Sequence, residues 1–167
     1  LLRLVDLFLC FKAVDACAGI VNDRDKMLCR FVRFTPIMDE TSNPGADCVQ
    51  ISAIQFFHKG SSEPIAAKAA ESPRYPPDFG PMNAIDNSTQ TCWTDLDKGP
   101  LVVEFKTAQT IDKYWWATSP MLEKQNCTPN RWKLEGRLDK HSEWTVIDER
   151  TGSCLRAAGH IHAYAHS

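Results

Sequence analysis

The sequence has no long run of basic residues. Its 19 lysine and arginine residues are balanced by 21 aspartate and glutamate residues, which gives a formal net charge of −2. Proteins that bind nucleic acid need clustered lysine and arginine to contact phosphates, so we do not expect nucleic acid as a partner. The seven cysteines include no Cys-x-x-Cys pair, which argues against a zinc ribbon and a thioredoxin-type redox site.

Short catalytic motifs are missing as well. The chain contains no Gly-x-Ser-x-Gly, no His-Glu-x-x-His and no phosphate-binding glycine loop. Nothing singles out a nucleophilic Cys–His pair among the seven cysteines and five histidines. A glycosidase would need two carboxylates across a cleft, which a sequence alone does not reveal. We therefore expect a protein that is not an enzyme.

A membrane-spanning helix needs about 20 nearly uninterrupted apolar residues, and the chain has no such run. Residues 1–18 are nevertheless predicted to be a helix, because neither glycine nor proline occurs before Gly19. The charged residues spread around this helix, and apolar residues on nearly all sides are typical of burial on more than one side. We expect residues 1–30 to be a helical extension that anchors the chain to a partner protein or a membrane surface through Leu1, Leu4, Val5, Phe8 and Phe11. A helix that lies on its own domain is the alternative.

Short strand-like runs separated by turns begin at Cys48. Residues 22–46 are predicted to be a connector, and residues 58–82 a long loop rich in proline, serine and alanine. Apolar and other residues alternate in the later runs, as expected of half-buried antiparallel strands. The predicted strands are residues 48–57, 101–105, 114–118, 131–136 and 144–148. This pattern predicts an all-β fold, an antiparallel β-sandwich.

The first predicted strand changes phase near Ala53. Val49 and Ile51 are odd-numbered apolar residues, whereas Ile54 and Phe56 are even-numbered, which predicts a bulge. Two adjacent tryptophans, Trp115 and Trp116, must point to opposite faces of their strand. One of them is therefore expected to meet the outer surface, a long loop or a partner.

Several segments in this order resemble the discoidin-like domain, also called the coagulation factor V/VIII type C domain. They are "AIDNSTQTCWTD", "GPLVVEF", "TIDKYWWAT", "PNRWKLEGRLD" and "EWTVIDERTG". The resemblance implies a galactose-binding-like jelly roll over residues 31–154, followed by a His-rich tail at 155–167. Members of this family are usually non-catalytic, and they bind glycans, phospholipid head groups or proteins through loops at one end.

The resemblance also implies a structural calcium in the loop that follows Ile85. Calcium prefers six to eight oxygen ligands, and the best candidates are Asp86 and Thr91, with Ser88 as a weaker one. The alternative is a metal-free loop in which Asp86 accepts backbone hydrogen bonds in an Asx-type turn. Asn87 stands where the family often has glycine, and the segment after Cys154 contains no glutamate to complete the calcium shell. In the family the residue at Trp93 packs inside, so we expect it in the core.

Ligand sites in this family lie on loops. Here "SPRYPPDFGP" provides Arg74, Tyr75 and Phe79 on a loop stiffened by proline, either to recognise a sugar, lipid or protein or to pack over the domain itself. Some members join their domain ends by a disulfide, which would be Cys48–Cys154 in this chain. A pair between Cys92 and Cys127, and reduced thiols throughout, are the alternatives.

Two further motifs depend on the compartment. Asn87-Ser-Thr and Asn126-Cys-Thr are sequons for N-glycosylation, and a glycan on Asn87 would compete with calcium in the same loop. His160, His162 and His166 in the tail could bind a transition metal, but histidines in a short terminal segment are only compositional evidence, and a polar terminal segment or a partner contact is favoured.

Two functions are compatible with these observations. The first is a non-catalytic docking module, an accessory subunit of a larger membrane-associated assembly such as a respiratory or photosynthetic complex, held through its N-terminal helix and the surface of its domain. The second is a secreted or luminal lectin-like domain that binds glycans, with or without a stabilising calcium. The expected localisation follows the function: membrane-associated within an organelle, or secreted.

Overall fold

The computed structural model of the chain describes residues 27–41, 43–119 and 126–151, and the backbone of residues 161–165. The predicted helix with Leu1, Leu4, Val5, Phe8 and Phe11 lies outside the described residues, as do Cys154, His160 and His166. Among the residues described, no helix is long and apolar enough to cross a membrane.

The described part of the chain is all-β and antiparallel, as the sequence predicts. Its strands are β1 (Leu28–Pro36), β2 (Val49–Ile51), β3 (Ala53–Phe57), β4 (Ala67–Glu71), β5 (Trp93–Asp95), β6 (Leu101–Thr110), β7 (Lys113–Ala117), β8 (Arg131–Arg137), β9 (Thr145–Thr151) and β10 (Ile161–Ala165). One 3-10 helix, Pro81–Ile85, precedes β5.

Five strands form the larger sheet, in the order β4-β6-β1-β8-β9. In the central strand β1, Val32 and Phe34 are buried in the core, whereas Arg33 and Thr35 alternate with them on the other face. The same alternation continues in β6, where Leu101, Val103 and Phe105 are buried in the core. This period of two is what allows one face of a sheet to cover a core.

The remaining strands form a three-stranded sheet, β10-β7-β3, and a two-stranded sheet, β2-β5. The predicted strand 48–57 divides at Ser52 into β2 and β3, which pair with different strands. The Ser52 N–H donates to the Ala117 carbonyl at 2.9 Å, and its hydroxyl donates to the Thr118 carbonyl at 2.9 Å. The predicted change of phase near Ala53 therefore marks the point where the chain leaves one sheet and enters another.

In the core, aromatic side chains of the five-stranded sheet contact those of the three-stranded sheet. Trp132 of β8 contacts Trp116 of β7 edge to face, with ring centroids 5.2 Å apart. Phe105 of β6 meets Phe56 of β3 in the same manner at 5.6 Å. Such aromatic pairs stabilise beyond the area that they bury, so these contacts join the two sheets.

Three elements differ from the expected organisation. Residues 28–36, predicted to lie in a connector and partly in the N-terminal extension, form the central strand β1. Residues 67–71, predicted to be loop, form the edge strand β4. Residues 161–165 of the predicted tail pair with β7, so this part of the tail is a strand of the three-stranded sheet.

Strand β1, which was not predicted, carries the partly buried arginines Arg30 and Arg33. Arg30 lies over the ring of Phe31 at 5.8 Å, and Arg137 lies over the same ring at 5.4 Å. The alkyl stems and guanidinium groups of arginine can cover apolar surface in this way. Phe31 is consequently only 6% exposed on the outer face, although charged residues flank it in the sequence.

Candidate binding surface

A buried carboxylate organises the loop that the sequence predicts to be a ligand loop. Asp95, at the end of β5, is fully buried. Its Oδ1 accepts the N–H groups of Asp97 at 3.0 Å and Gly99 at 2.9 Å. Its Oδ2 accepts the N–H of Arg74 at 2.9 Å. One carboxylate therefore shapes the turn after β5 and also holds the loop that begins at Ser72.

Backbone hydrogen bonds fix this loop along β5. The Thr94 N–H donates to the Phe79 carbonyl at 3.0 Å, and the Leu96 N–H donates to the Arg74 carbonyl at 2.8 Å. The indole N–H of Trp93 donates to the Ser72 hydroxyl at 2.9 Å. Paired backbone groups cannot move independently without losing these bonds, so the loop is held on the fold at both of its ends.

Gly99 permits the close approach of the loop to the turn. A Cβ atom at this position would lie 2.5 Å from Cγ of Pro73 and 3.3 Å from Oδ1 of Asp95. Real Cβ atoms do not approach other heavy atoms so closely. Glycine at this position leaves room for the ring of Pro73, which explains why the turn Leu96–Gly99 ends in this residue.

Apolar side chains in this loop, in the turn after β5 and in the 3-10 helix are exposed. Tyr75 is 46% exposed, Leu96 38% and Met82 51%. Arg74 is exposed beside them and forms an ion pair with Asp97 at 3.2 Å. We call Arg74, Tyr75, Met82, Leu96 and Asp97 the binding surface. Phe79 is half-buried, and it contributes to the surface mainly through its backbone bond to Thr94.

The Tyr75 ring is held by its own loop. A Cβ on Gly80 would lie 3.4 Å from Cε2 of Tyr75, so the ring rests on the bare backbone of Gly80. The Phe79 N–H donates to the Pro76 carbonyl at 3.0 Å, which closes the turn between the two residues. Tyr75 is therefore exposed and supported from below, as a recognition side chain should be.

The residues predicted to bind calcium do lie together in one loop. Asp86 accepts the Ser88 N–H at Oδ1 (2.8 Å) and the Thr91 hydroxyl at Oδ2 (2.7 Å). The Ser88 hydroxyl accepts the Gln90 N–H at 3.1 Å. Asn87 adopts a φ of 62°, so asparagine does replace the glycine that such a turn favours.

This donor set favours the metal-free loop over a calcium cage. Calcium takes six to eight oxygens, whereas both oxygens of the Asp86 carboxylate already accept hydrogen bonds from the loop itself. The arrangement is the Asx-type turn given above as the alternative. In the described part of the chain, the side chains of Asp47, Cys48 and Cys127 lie within 4.8 Å of one another, but the two cysteines are bonded to each other and are not thiolate ligands.

The disulfide differs from the expected Cys48–Cys154 pair. Cys48 is bonded to Cys127, with Cα atoms 5.2 Å apart. The reason is the contact between two loops: Asn43 donates through Nδ2 to the Asn126 carbonyl at 3.0 Å and to the Thr128 carbonyl at 2.7 Å. These hydrogen bonds bring Cys127 to Cys48, and no spacing in the sequence indicates them.

The other described cysteines, Cys29 and Cys92, are buried free thiols. Burial raises the pKa of Cys29 to about 11. For Cys92, burial likewise raises the pKa, against hydrogen bonds that lower it, including those from Ser119 and Gln50. Because the thiolate is the reactive form, neither residue has the properties of a catalytic nucleophile.

The tryptophans are placed as predicted. Trp93 and Trp132 are in the core, and Trp116 is buried whereas its neighbour Trp115 is only partly buried. Trp144 differs, because it is only partly buried and lies beneath Arg33 and Arg137.

Four residues that build the binding surface were not predicted: Asp95, which organises it, and the exposed Met82, Leu96 and Asp97. A usable signal exists in "DLDKG", where an Asx residue precedes a glycine in a turn after a strand.

No protein-family profile, curated protein or solved structure matches the chain.

Proposed function

We propose that this chain is a non-catalytic docking module that binds a partner protein through the binding surface. The proposal includes a galactose-binding-like jelly roll of the discoidin-like type, with the five-stranded and three-stranded sheets as the two layers of a β-sandwich. The shared aromatic core of the two sheets supports this architecture. The order of the segments that resemble the family supports it as well.

The exposed apolar trio Tyr75, Leu96 and Met82 carries the proposal. Exposed apolar groups rimmed by polar residues are typical of protein interaction sites. Tyrosine and arginine are also the side chains that most often dominate the energy of an interface. Arg74 and Asp97 supply the polar rim, and their ion pair offers both a donor group and an acceptor group to a partner.

The fixed position of the loop adds to this argument. Asp95 and the backbone bonds to β5 hold Arg74 in place before any partner arrives. Ordering a loop on binding costs free energy, and a loop that is already ordered avoids that cost. In the larger assembly that we propose, an accessory subunit would present this surface and use its N-terminal residues as a second, membrane-associated anchor.

Retrieval of partners from a native extract, followed by measurement of the Kd for each variant, tests the docking proposal. Partners are retrieved with three proteins and then purified. The three proteins are the tagged full chain, the double variant Tyr75→Ala/Leu96→Ala and the control Val146→Ala. Val146 is 51% exposed on β9, away from the loop. We expect the double variant to raise the Kd for the purified partner at least about tenfold, because interface anchors contribute about 1–2 kcal/mol or more each. The control should leave the Kd unchanged. Equal binding by all three proteins would refute the proposal.

Glycan binding is the second candidate, and three residues of the binding surface favour it. Tyr75 offers an exposed ring beside the charged groups of Arg74 and Asp97, which is the combination that stacks on a sugar and bonds its hydroxyls. The disulfide Cys48–Cys127 is compatible with a secreted or luminal location, because disulfides persist in oxidising compartments.

A glycan array separates the two candidates. For a lectin, Tyr75→Phe should retain binding because the ring is kept, and Tyr75→Ala should abolish it. Arrays without a hit, together with a purified protein partner, would leave docking as the function. In the same preparation we expect the melting temperature to be unchanged by calcium or EDTA, since a cation that binds only the folded state raises its stability. A rise with calcium would instead restore Asp86, Ser88 and Thr91 as ligands.

A further inference from the structure

The two sequons of the chain occupy very different environments. Asn87-Ser88-Thr89 lies in the exposed loop between the 3-10 helix and β5. Asn126-Cys127-Thr128 lies where two loops meet at the disulfide. The motif alone makes both asparagines acceptors for an N-linked glycan, and the surroundings of each side chain decide which of them tolerates one.

Asn87 is presented to solvent. Its side chain is exposed, and its backbone has a φ of 62°. Its Oδ1 accepts a hydrogen bond from Nε2 of Gln55 at 2.6 Å. A glycan is attached through Nδ2, so Oδ1 keeps its lone pairs and the bond from Gln55 survives. The folded loop therefore accepts the sugar without losing a contact.

Asn126 is committed to the structure of the loops. Its Nδ2 donates to the Gly45 carbonyl at 2.9 Å, and its own carbonyl accepts from Asn43. The next residue, Cys127, is fully buried in the disulfide, and Thr128 is 5% exposed. A glycan is bulky and belongs on a surface. A sugar on this nitrogen would have to enter the contact between the loops and would hinder the closure of Cys48–Cys127.

We infer that Asn87 carries an N-linked glycan and that Asn126 does not. The transfer forms a bond between Nδ2 of Asn87 and C1 of an oligosaccharide, and it breaks the bond between C1 and the diphosphate of a lipid-linked donor. The diphosphate leaves with the electron pair of that bond, Nδ2 loses one proton, and nothing is oxidised or reduced. The inference does not depend on the docking function, and the disulfide supports the secretory route that it requires.

Mass mapping of the secreted full chain tests this inference. The chain is expressed with a secretory leader in eukaryotic cells. An amidase then removes its N-linked glycans in ¹⁸O-water, which converts each formerly glycosylated asparagine to a labelled aspartate, and the chain is digested. Three variants accompany the wild type: Thr89→Ala, which removes the sequon but keeps Asn87; Ser88→Ala, which changes the loop but keeps the sequon; and Asn126→Gln. Unreduced peptides containing Cys48 and Cys127 report whether each protein has folded.

We expect the mark at position 87 in the wild type, in Ser88→Ala and in Asn126→Gln, and its loss in Thr89→Ala. Position 126 should be unmarked in every protein whose Cys48–Cys127 peptide is linked. An unmarked Asn87 in the folded wild type overturns the inference. A mark at Asn126 in chains with the linked disulfide overturns it as well, because the loop contact would then tolerate the sugar.

Discussion

At the scale of single residues, Asp95 is the side chain on which the binding surface depends. Its two carboxylate oxygens accept three backbone N–H groups, those of Arg74, Asp97 and Gly99. Asp95→Asn replaces one acceptor oxygen by an amide that itself donates. At least one buried N–H then loses its partner, which costs about 1–3 kcal/mol. We expect the free energy of unfolding, measured in urea, to fall by this amount.

Asp97→Asn is the matched control for this substitution. Asp97 lies two residues away and is about half exposed, and its contact with the exposed Arg74 is a surface ion pair. Such pairs contribute about 0–1 kcal/mol. If Asp97→Asn destabilised the protein as much as Asp95→Asn, the carboxylate of Asp95 would not be the organising group.

The sequence predicts part of this surface, and the remainder depends on contacts distant along the chain. Arg74, Tyr75 and Phe79 stand out because proline and glycine surround them. Asp95 does not stand out, because an aspartate that follows a buried strand has the same local pattern whether it is exposed or buried. Its importance comes from Arg74, 21 residues earlier, and this pairing is established only when the loop folds along β5.

At the scale of secondary structure elements, β1 and β8 are joined by a buried carboxylate on their outer face. Glu135 of β8 is 5% exposed and forms ion pairs with Arg33 of β1 at 2.7 Å and with Lys133 at 2.9 Å. Arg33 also stacks over the ring of Trp144 at 4.5 Å. Burial raises the pKa of Glu135, but the hydrogen bonds and the positive charges of Arg33 and Lys133 together lower it more, so that its pKa lies below the usual 4.5.

A pH dependence follows from this lowered pKa. In acid, the unfolded chain binds a proton at Glu135 before the folded chain does, so the stabilisation is fully present above pH 4.5 and is lost as the pH falls through the lowered value. Glu135→Gln should therefore cost about 1–3 kcal/mol at pH 7, where it leaves charged partners uncompensated. The difference from the wild type should shrink at pH 3.

Urea unfolding at the two pH values measures this difference, with Glu149→Gln as the control. Glu149 lies opposite Lys133 on β9 but is exposed, so its substitution should change stability by less than about 0.5 kcal/mol. A difference between wild type and Glu135→Gln that stayed constant from pH 7 to pH 3 would show that the charge of Glu135 does not stabilise the fold.

The disulfide acts between elements as well, because it joins the loop before β2 to the loop before β8. Cys48 and Cys127 are 79 residues apart in the chain. Closing a loop of this length restricts the unfolded state, and removing such a bond costs about 2–5 kcal/mol. Cys48→Ser/Cys127→Ser should lower the free energy of unfolding by this amount, and reduction of the wild type should have the same effect.

The double variant is its own control for the reducing agent, because reduction should no longer change its stability. Peptide mapping of the unreduced wild type gives the pairing directly. A peptide that linked Cys48 to Cys154, as the family resemblance implies, would contradict the structure.

The elements themselves show how far the sequence pattern extends. Strands with alternating apolar residues, such as β6 and β8, are predictable because their period of two is undisturbed. β4 is not, because "AKAAE" has the composition of a helix, and its strand conformation comes from pairing with β6. Tertiary pairing overrides local propensity at such an edge strand.

At the scale of the whole molecule, the two larger sheets are connected by a buried polar chain as well as by aromatic contacts. The Trp132 indole N–H donates to the Tyr114 hydroxyl at 2.9 Å, and this hydroxyl donates to Asp148 at 2.9 Å. Arg150 also donates to Asp148 at 2.8 Å. Buried polar groups that satisfy one another fix a single arrangement of the elements that carry them, here β7, β8 and β9.

The strand β10 closes this arrangement at the edge of β7. Its five residues pair with Lys113–Ala117, and without them β7 would become an unpaired edge that invites association with other chains. A chain that ends at Thr151 should lose about 2–5 kcal/mol of stability with the hydrogen bonds of this ladder, and it should aggregate at lower temperature.

A chain that begins at Met27 keeps all ten strands, so its unfolding in urea should match that of the full chain. If the chain ending at Thr151 were as stable as the full chain, β10 would not belong to the sheet. If the chain beginning at Met27 were the unstable one, residues 1–26 would stabilise the fold itself, and their proposed role as an anchor for a partner would fail.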